Sequence, residues 1–254
     1  MITIDTEAGI VTVTDGEQRR ILPFSDPEAF DIVSKAWLRI GWDVKHVYSF
    51  TWLGRPIIQL PEDLVRLQEV VFTVQPDVIV ETGVAHGGGV LFYASLCKLL
   101  GKGRVVGVEI ELRPESRAAI EADPLAPYVT LVEGDSTDPR VVDRVKAGIR
   151  PDDRVLVALD SCHSREHILA ELHAYAPLVS PGSYIIAMDG IMADLNGAPR
   201  SRPDRAWNNP RQAAAEFVAA HPQFVVERPP FLFNEGSVTT PVTYWAGGYI
   251  KRFR

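Results

Sequence analysis

The chain has 254 residues, of which 46% are hydrophobic and 23% are charged, and its formal net charge at pH 7 is -7. This length and composition allow a large buried core and are typical of a globular protein. The negative charge, which no run of lysine and arginine offsets, opposes nucleic acid and favours a small cationic ligand. No apolar stretch reaches roughly 18 residues, the length of a bilayer-spanning helix, and MITIDTEAGI lacks the features of a leader, so we expect a cytoplasmic protein without a membrane partner.

The N-terminal part of the chain predicts a small accessory layer. Apolar and polar residues alternate over residues 1–22 around an Asp-Gly pair, which is the pattern of a β-hairpin. Apolar residues then recur at helical spacing over residues 30–40, and the helix is predicted to end at Gly41. We therefore expect residues 1–60 to form an extension and lid, and residues 61–254 to form the main domain.

The main domain alternates between helical and strand patterns, which predicts an α/β fold. An alternation of this kind gives a parallel sheet with helices on both faces. After a loop rich in Asn, Pro and Arg, a further helix precedes two more strands. The predicted strands, in chain order, are DVIVET, RVVGVE, YVTLVEG, RVLVALD, SYIIAMD, FVVER and VTYWAGGYIKR.

A glycine-rich turn, ETGVAHGGG over residues 81–89, follows the first strand of this domain. In doubly wound sheets ligands bind at the carboxyl ends of the strands, near the point where the strand order reverses. Glycines allow the backbone to approach a ligand closely, and the next helix offers free N–H groups. By itself this turn would suit NAD, FAD or S-adenosylmethionine (SAM).

Acidic residues at successive strand ends separate these ligands. Glu81 would repel a dinucleotide pyrophosphate and attract the amino group of SAM. Glu109 ends the second strand, where an acidic residue can accept the ribose hydroxyls, and Gly134, Asp135 and Ser136 end the third strand, where adenine would lie. Any one of these acids could be a solvated loop carboxylate, but their recurrence at three strand ends favours a SAM site.

The order of these motifs resembles a known family of bacterial methyltransferases, named after cephalosporin hydroxylase and rhamnosyl O-methyltransferase. The resemblance covers about residues 48–254 and rests on PDVIVETGVAHGGG, GRVVGVEIELRP, LVEGDSTD, VALDSCHSREHILAEL and LVSPGSYIIAMD. It implies a Rossmann-like, SAM-dependent methyltransferase sheet of seven strands, the last antiparallel. It also implies methyl transfer to hydroxyls of sugars or antibiotic intermediates, with Mg²⁺ in some members. We do not expect a hydroxylase, because the chain has no H-x-D pattern for iron.

By position, the resemblance implies contacts between the chain and each part of SAM. Glu81 and Gly83 would hold the methionine end, Glu109 the ribose, and Asp135 with Ser136 the adenine region. The full set of expected cofactor-binding residues is Glu81, Gly83, Ala85, Gly87, Glu109, Arg113, Gly134, Asp135 and Ser136.

The segment LDSCHSREHILAEL contains the predicted catalytic residues. Asp160 ends a strand, and His163 and His167 follow at a spacing of four, which predicts both imidazoles on one face of a helix start. Methyl transfer to a hydroxyl requires loss of its proton or its polarisation by a cation. His163 is the expected base because its ordinary pKa is near neutral, with Asp160 beside it. Alternatively, His163 caps the helix and His167 packs on the sheet.

Hard oxygen ligands for a metal ion could come from Asp160 and Asp189 at neighbouring strand ends. The resemblance implies two adjacent acids at the end of the fifth strand, whereas this chain has Met188 before Asp189. Water, His163 or an asparagine at 208–209 could complete the shell. If none of them does, the protein relies on general base catalysis without a metal.

Other functions are compatible with parts of this pattern. HGGG at 86–89 is also the oxyanion-hole string of esterases, but the chain has no G-x-S-x-G nucleophile elbow. An NAD-dependent oxidoreductase is disfavoured by Glu81. A SAM-binding scaffold without catalysis is the non-enzyme alternative, and Met188 is the feature that favours it.

We expect a small-molecule acceptor and a homo-oligomer. Five aromatic residues of the extension and late loops are candidates for a lid over the acceptor: Trp37, Tyr48, Trp52, Trp207 and Phe231. For Trp37, packing in the core is the better interpretation. The two cysteines, Cys97 and Cys162, are expected to be reduced thiols.

Overall fold

The computed structural model describes residues 1–254, and its N-terminal part is a small antiparallel sheet followed by a helix. Strands β1 (Ile2–Asp5), β2 (Ile10–Asp15) and β3 (Gln18–Pro23) pair in chain order. The β2–β3 pair is the predicted hairpin, to which β1 adds a third strand. Helix α1 (Pro27–Asp43) continues past Gly41, where the sequence predicted its end. A two-residue hairpin, β4 (Thr51–Trp52) and β5 (Arg55–Pro56), precedes the main domain.

The main domain has the alternating order that the sequence predicts. Its helices are α2 (Pro61–Val74), α3 (Gly88–Leu100), α4 (Pro114–Glu121), α5 (Pro139–Ala147), α6 (Arg165–Tyr175) and α7 (Pro210–Ala220). Its strands are β6 (Val78–Thr82), β7 (Arg104–Glu109), β8 (Val129–Glu133), β9 (Val155–Leu159), β10 (Tyr184–Ala187), β11 (Phe224–Val226) and β12 (Tyr249–Arg252). None of the helices has the length and apolar composition to cross a membrane.

The seven strands form one sheet in the order β11-β12-β10-β9-β6-β7-β8. Strand β12 is antiparallel to both of its neighbours, β10 and β11, and the other pairs are parallel. The predicted seven-stranded sheet with an antiparallel last strand is therefore confirmed. The strand predicted over VTYWAGGYIKR is shorter than expected, because residues 242–248 form a loop in which Tyr244 N–H donates to the Asp63 carboxylate, 2.8 Å away.

Two apolar cores hold the sheet between helices. One contains side chains of α2 and α3 and residues such as Ile79 and Leu156, and the other contains side chains of α5, α6 and α7 with Val80 and Val157. Every residue of β6 and β9 is buried, which agrees with their continuous apolar runs. Glu81 interrupts the apolar run of β6, because it is an ionisable residue within a fully buried strand.

The carboxyl ends of the central strands are aligned by backbone hydrogen bonds. Gly83 N–H donates to Val108 at 2.8 Å, and Asp160 N–H donates to Thr82 at 2.9 Å. One strand further, Met188 N–H donates to Leu159 at 3.1 Å. The strand order reverses between β6 and β9, where connections leave in opposite directions. The turns after these strands therefore open around one crevice, the expected place for a ligand.

The N-terminal extension packs against late loops of the main domain. Tyr244 Oη donates to the carbonyl of Leu38 at 3.1 Å, and Trp42 Nε1 donates to the carbonyl of Pro199 at 3.0 Å. The guanidinium of Arg200 lies 5.0 Å from the centre of the Trp42 ring system. These contacts join α1 to the loop that follows β10 and to the loop that precedes β12. The division of the chain at residue 60 remains a prediction.

Candidate active site

Close packing leaves no space for a side chain at any of the four glycines in the turn after β6. Gly83 has φ 89°, and a Cβ atom there would lie 2.1 Å from the carbonyl oxygen of Asp160. Gly87 has φ 91° and lies against Ile120. A Cβ atom at Gly89 would lie 2.2 Å from a carboxylate oxygen of Glu81. A side chain at any of these positions would clash with atoms already packed there, so the close approach of the turn to its neighbours depends on glycine.

The Glu81 carboxylate is buried beside this turn without a partner. The residue is 2% exposed, and its Oε2 atom accepts no hydrogen bond. Burial, together with the nearby charge of Glu109, raises the pKa of Glu81 well above its ordinary value. A buried carboxylate without a donor is costly, and a ligand cation or N–H group would relieve that cost.

Glu109 lies at the end of β7, as predicted, and its carboxylate holds the glycine-rich turn. Its Oε2 atom accepts hydrogen bonds from Val84 N–H at 2.9 Å and from Ala85 N–H at 2.8 Å, while Oε1 accepts from Ile110 N–H at 3.0 Å. In addition to its expected contact with the ribose, Glu109 therefore has a structural role, because its carboxylate fixes the backbone of the turn.

The predicted adenine-side residues after β8 have different environments. Asp135 is exposed, and hydrogen bonds from Thr137 lower its pKa. Ser136 is buried, and its hydroxyl donates to Glu171 at 2.6 Å, so that hydroxyl faces the protein interior. Arg113 is exposed at the start of α4.

A hydrogen-bonded network around the buried Glu171, which the sequence did not indicate, joins the loops after β8 and β9 to α6. Ser136 and Ser161 both donate to Glu171 Oε1, at 2.6 and 2.7 Å. His167 Nε2 lies 3.5 Å from the same oxygen, and this hydrogen-bonding partner raises the pKa of His167. Glu171 is completely buried. The only signal in the sequence was its position four residues after His167, one helical turn along α6.

Asp160, His163 and Asp189 come together at the carboxyl ends of β9 and β10. His163 Nε2 lies 3.5 Å from Asp189 Oδ2 and 4.0 Å from Asp160 Oδ1. One ligand atom from each of the three residues lies within 4.8 Å of the others. Burial, followed by the charges of Asp189 and Glu81, raises the pKa of Asp160. The cluster contains an imidazole between two carboxylates and is about one-fifth exposed.

Gln59 and Met188 form the inner wall of this cluster. Gln59 Nε2 donates to Asp160 Oδ2 at 2.7 Å and lies 3.7 Å from Met188 Sδ. Met188 is 1% exposed and packs in the core, where an acidic side chain would need a partner. Gln59 precedes α2 and has no distinctive motif around it, so the sequence did not indicate its contact with the site.

Two sequence predictions about ligands and histidines are wrong. His163 and His167 do not share a helix face, because α6 begins only at Arg165 and Ser164 is its N-cap, so the two imidazoles join separate clusters. The asparagines of 208–209 have other partners: the first binds Arg165 N–H and Asp204, and the second caps α7 and donates to Arg205.

A small pocket lies between the N-terminal extension and the loop that follows β10. It has a volume of about 210 Å³ and is lined by Trp42, Tyr48, Met192, Leu195, Arg200, Ser201 and Arg205. Arg205 donates to the carbonyl of His163, which connects this pocket to the cluster.

The predicted aromatic lid is only partly assembled. Tyr48 lines this pocket, whereas Trp52 packs against Phe92 with ring centres 4.9 Å apart. Phe231 lines a separate cavity of about 1080 Å³. Trp37 contacts His46 edge-on and Trp207 is exposed, so neither lines either pocket.

The sheet order, the antiparallel β12 and the glycine-rich turn at the strand reversal define a Rossmann-like fold of the SAM-dependent methyltransferase class. Within this class, the family model described as Rhamnosyl O-methyltransferase/CmcI matches residues 44–253. The chain belongs to that family.

Similar proteins include rhamnosyl O-methyltransferases of mycobacteria. The Mycobacterium leprae protein is 28% identical over 152 residues, which cover 59% of this chain and 62% of the relative. A Mycobacterium tuberculosis protein is 30% identical over 154 residues, 59% of each chain. The chain thus matches about three-fifths of the length of these relatives.

Solved structures of low sequence identity share the fold. An apo structure of CmcI is 19% identical, with a TM-score of 0.55 over 82% of this chain and 77% of that one. A Mg-SAM structure of CmcI has a TM-score of 0.54 at 19% identity, over 81% and 77%. An O-methyltransferase from Bacillus cereus in complex with SAH (S-adenosylhomocysteine) has a TM-score of 0.51 at 18% identity, over 76% and 81%.

Proposed function

We propose that the protein is a SAM-dependent O-methyltransferase that methylates a hydroxyl of a small molecule, of the sugar or antibiotic-intermediate type. The observation that carries this proposal is the position of the Asp160, His163 and Asp189 cluster beside the glycine-rich turn, around the reversal between β6 and β9. Family membership and the names of the relatives support the same reaction.

The cofactor would lie along the ends of β6, β7 and β8. Glu81 would bind the amino group of SAM, since its buried carboxylate has an oxygen without a partner. The first N–H groups of α3 have no helical partner and would bind the SAM carboxylate. Glu109 would accept the ribose hydroxyls while it holds the turn. Asp135 is exposed beside the expected adenine position.

The reaction forms a bond between the acceptor oxygen and the methyl carbon and breaks the carbon–sulfur bond, leaving SAH. The hydroxyl proton must leave the oxygen, and the cluster supplies two routes. His163 can accept it at Nε2, with the imidazolium stabilised by Asp189 at 3.5 Å and Asp160 at 4.0 Å. A divalent cation, when bound by Asp160 and Asp189, would lower the pKa of the hydroxyl. In either route, Gln59 fixes the Asp160 carboxylate.

The pocket that Arg205 links to His163 supports an acceptor of modest size. Its volume of about 210 Å³ suits a single sugar-sized ring, and Trp42 with Tyr48 offers aromatic surface to such a ring. The guanidinium of Arg205, which lines the pocket, donates to the backbone carbonyl of His163, and this link supports the assignment of the pocket to the acceptor. A homo-oligomeric assembly stays a prediction.

A SAM-binding scaffold is the second candidate, and Met188 favours it. The buried thioether removes one acidic group from the catalytic strand end. Calorimetry with SAM, followed by incubation with methyl-labelled SAM and a panel of monosaccharides and glycosides, separates the candidates. Labelled methyl ether supports the enzyme, and SAM binding without label transfer supports the scaffold. No binding of SAM or SAH would contradict both.

A further inference from the structure

We propose that His163 is a direct metal ligand, and that the site therefore prefers a first-row transition ion to Mg²⁺. This inference rests on the proposed function only for the place of the site in the fold, and metal binding can be measured without SAM or acceptor. Asp160, His163 and Asp189 each offer one ligand atom, and these three atoms lie within 4.8 Å of one another.

The separations fit a shared ion. Two ligand atoms about 2.1 Å from one metal lie roughly 3.0 to 3.6 Å apart when they are adjacent in the coordination sphere. His163 Nε2 is 3.5 Å from Asp189 Oδ2, within this range, and 4.0 Å from Asp160 Oδ1. A shift of a few tenths of an ångström between His163 and Asp160 would bring that pair into the same range.

The hydrogen-bonding pattern leaves these atoms available. Gln59 donates to Oδ2 of Asp160, so the oxygen nearer to His163 keeps its lone pairs. The Asp189 carboxylate lies beside His163 and Asp160 and accepts no hydrogen bond from a side chain or backbone N–H group. The His163 imidazole makes no hydrogen bond to other residues, and its Nδ1 atom is buried without a partner. The two carboxylates and the imidazole between them therefore have ligand atoms that are free to coordinate a cation.

The chemistry of the donor set decides which cation binds. Mg²⁺ prefers oxygen ligands, whereas imidazole nitrogen favours Co²⁺, Ni²⁺ and Zn²⁺, and affinities of mixed nitrogen and oxygen sites rise from Mn²⁺ toward these ions. Met188 occupies a neighbouring position with a thioether, so a third carboxylate from that position is not available. One nitrogen and two oxygens therefore favour the transition ion.

Calorimetric titration of chelator-treated, SAM-free protein with Mg²⁺, Mn²⁺ and Co²⁺ tests this proposal. We expect Co²⁺ to bind at least tenfold more tightly than Mg²⁺. His163→Ala should lose at least tenfold in Co²⁺ affinity and little in Mg²⁺ affinity. His163→Asp should narrow the preference for Co²⁺, because it replaces the imidazole nitrogen with a third carboxylate.

The matched control is His221→Ala. His173 and His221 have ring centres 5.2 Å apart and are a close imidazole pair outside the site that could bind transition ions. This variant should keep the wild-type Co²⁺ affinity and visible Co²⁺ absorption spectrum, whereas His163→Ala should change both. Equal or tighter binding of Mg²⁺, or an unchanged Co²⁺ spectrum in folded His163→Ala and His163→Asp, would overturn the proposal. SAM binding, measured in parallel, reports separately on the proposed function.

Discussion

Replacing Glu81 with Gln removes the ionisable carboxyl group at the glycine-rich turn with little change in size. Glu81 is 2% exposed, its Oε2 atom has no partner, and burial with the charge of Glu109 raises its pKa well above the ordinary value of 4.5. If this carboxylate binds the amino group of SAM, the variant loses a charge-assisted hydrogen bond, typically about 1.5–3 kcal/mol. Calorimetry should show SAM affinity reduced at least tenfold.

The same substitution should stabilise the protein without ligand, and the effect should depend on pH. A carboxyl whose pKa is raised by folding loses stability as pH rises from its unfolded pKa toward its folded pKa, by about 1.4 kcal/mol per pH unit. Glu81→Gln removes this loss, so its stability relative to wild type should increase from pH 4.5 to pH 7. Urea unfolding at several pH values measures the difference.

Asp63→Asn is the matched control for Glu81→Gln. Asp63 is also a buried carboxylate, and burial raises its pKa to about 8, but it binds Thr243 and Tyr244 and lines the larger cavity. Its substitution should leave SAM affinity unchanged. Unchanged SAM affinity in folded Glu81→Gln, or a relative stability that does not rise with pH, would refute the reasoning about this carboxylate.

Three further predictions concern neighbouring groups. If the cation route operates, excess chelator should abolish the activity of the wild type, and Asp160→Asn should abolish its metal dependence. If the wild type resists chelator, His163→Ala should reduce the rate by about a hundred- to ten-thousand-fold. Activity that neither chelator nor His163→Ala reduces would contradict both routes. Gly83→Ala should destabilise the fold by at least about 1–3 kcal/mol in urea unfolding, because its Cβ would meet a carbonyl oxygen at 2.1 Å and φ is 89°; wild-type stability would contradict this packing. Glu171→Gln should lower the pKa of His167, followed by NMR titration, and the accompanying loss of stability should be largest below pH 6.5 and fade at higher pH; an unmoved titration would show that the carboxylate does not act on this imidazole.

The parallel sheet and its glycine-rich turn could be predicted from the sequence because their causes are local. Continuous apolar runs predict fully buried strands, and alternation with helices predicts a parallel sheet whose carboxyl ends share one edge. Glu81, Glu109 and Asp160 follow such runs directly, so their positions at that edge were correctly predicted. The family resemblance supplied the antiparallel last strand, which local periodicity does not specify.

The contacts around the site depended on residues distant in sequence. Gln59 reaches Asp160 across 101 positions, and Ser136 reaches Glu171 across 35, so no local pattern indicates either hydrogen bond. The separation of His163 from His167 was decided by one cap, since Ser164 begins the helix after the first histidine and leaves it free to turn toward Asp189. Sequence periodicity determined which strand ends meet, while tertiary packing determined which side chains face each other there, because long-range hydrogen bonds and buried volume are set only when the layers assemble.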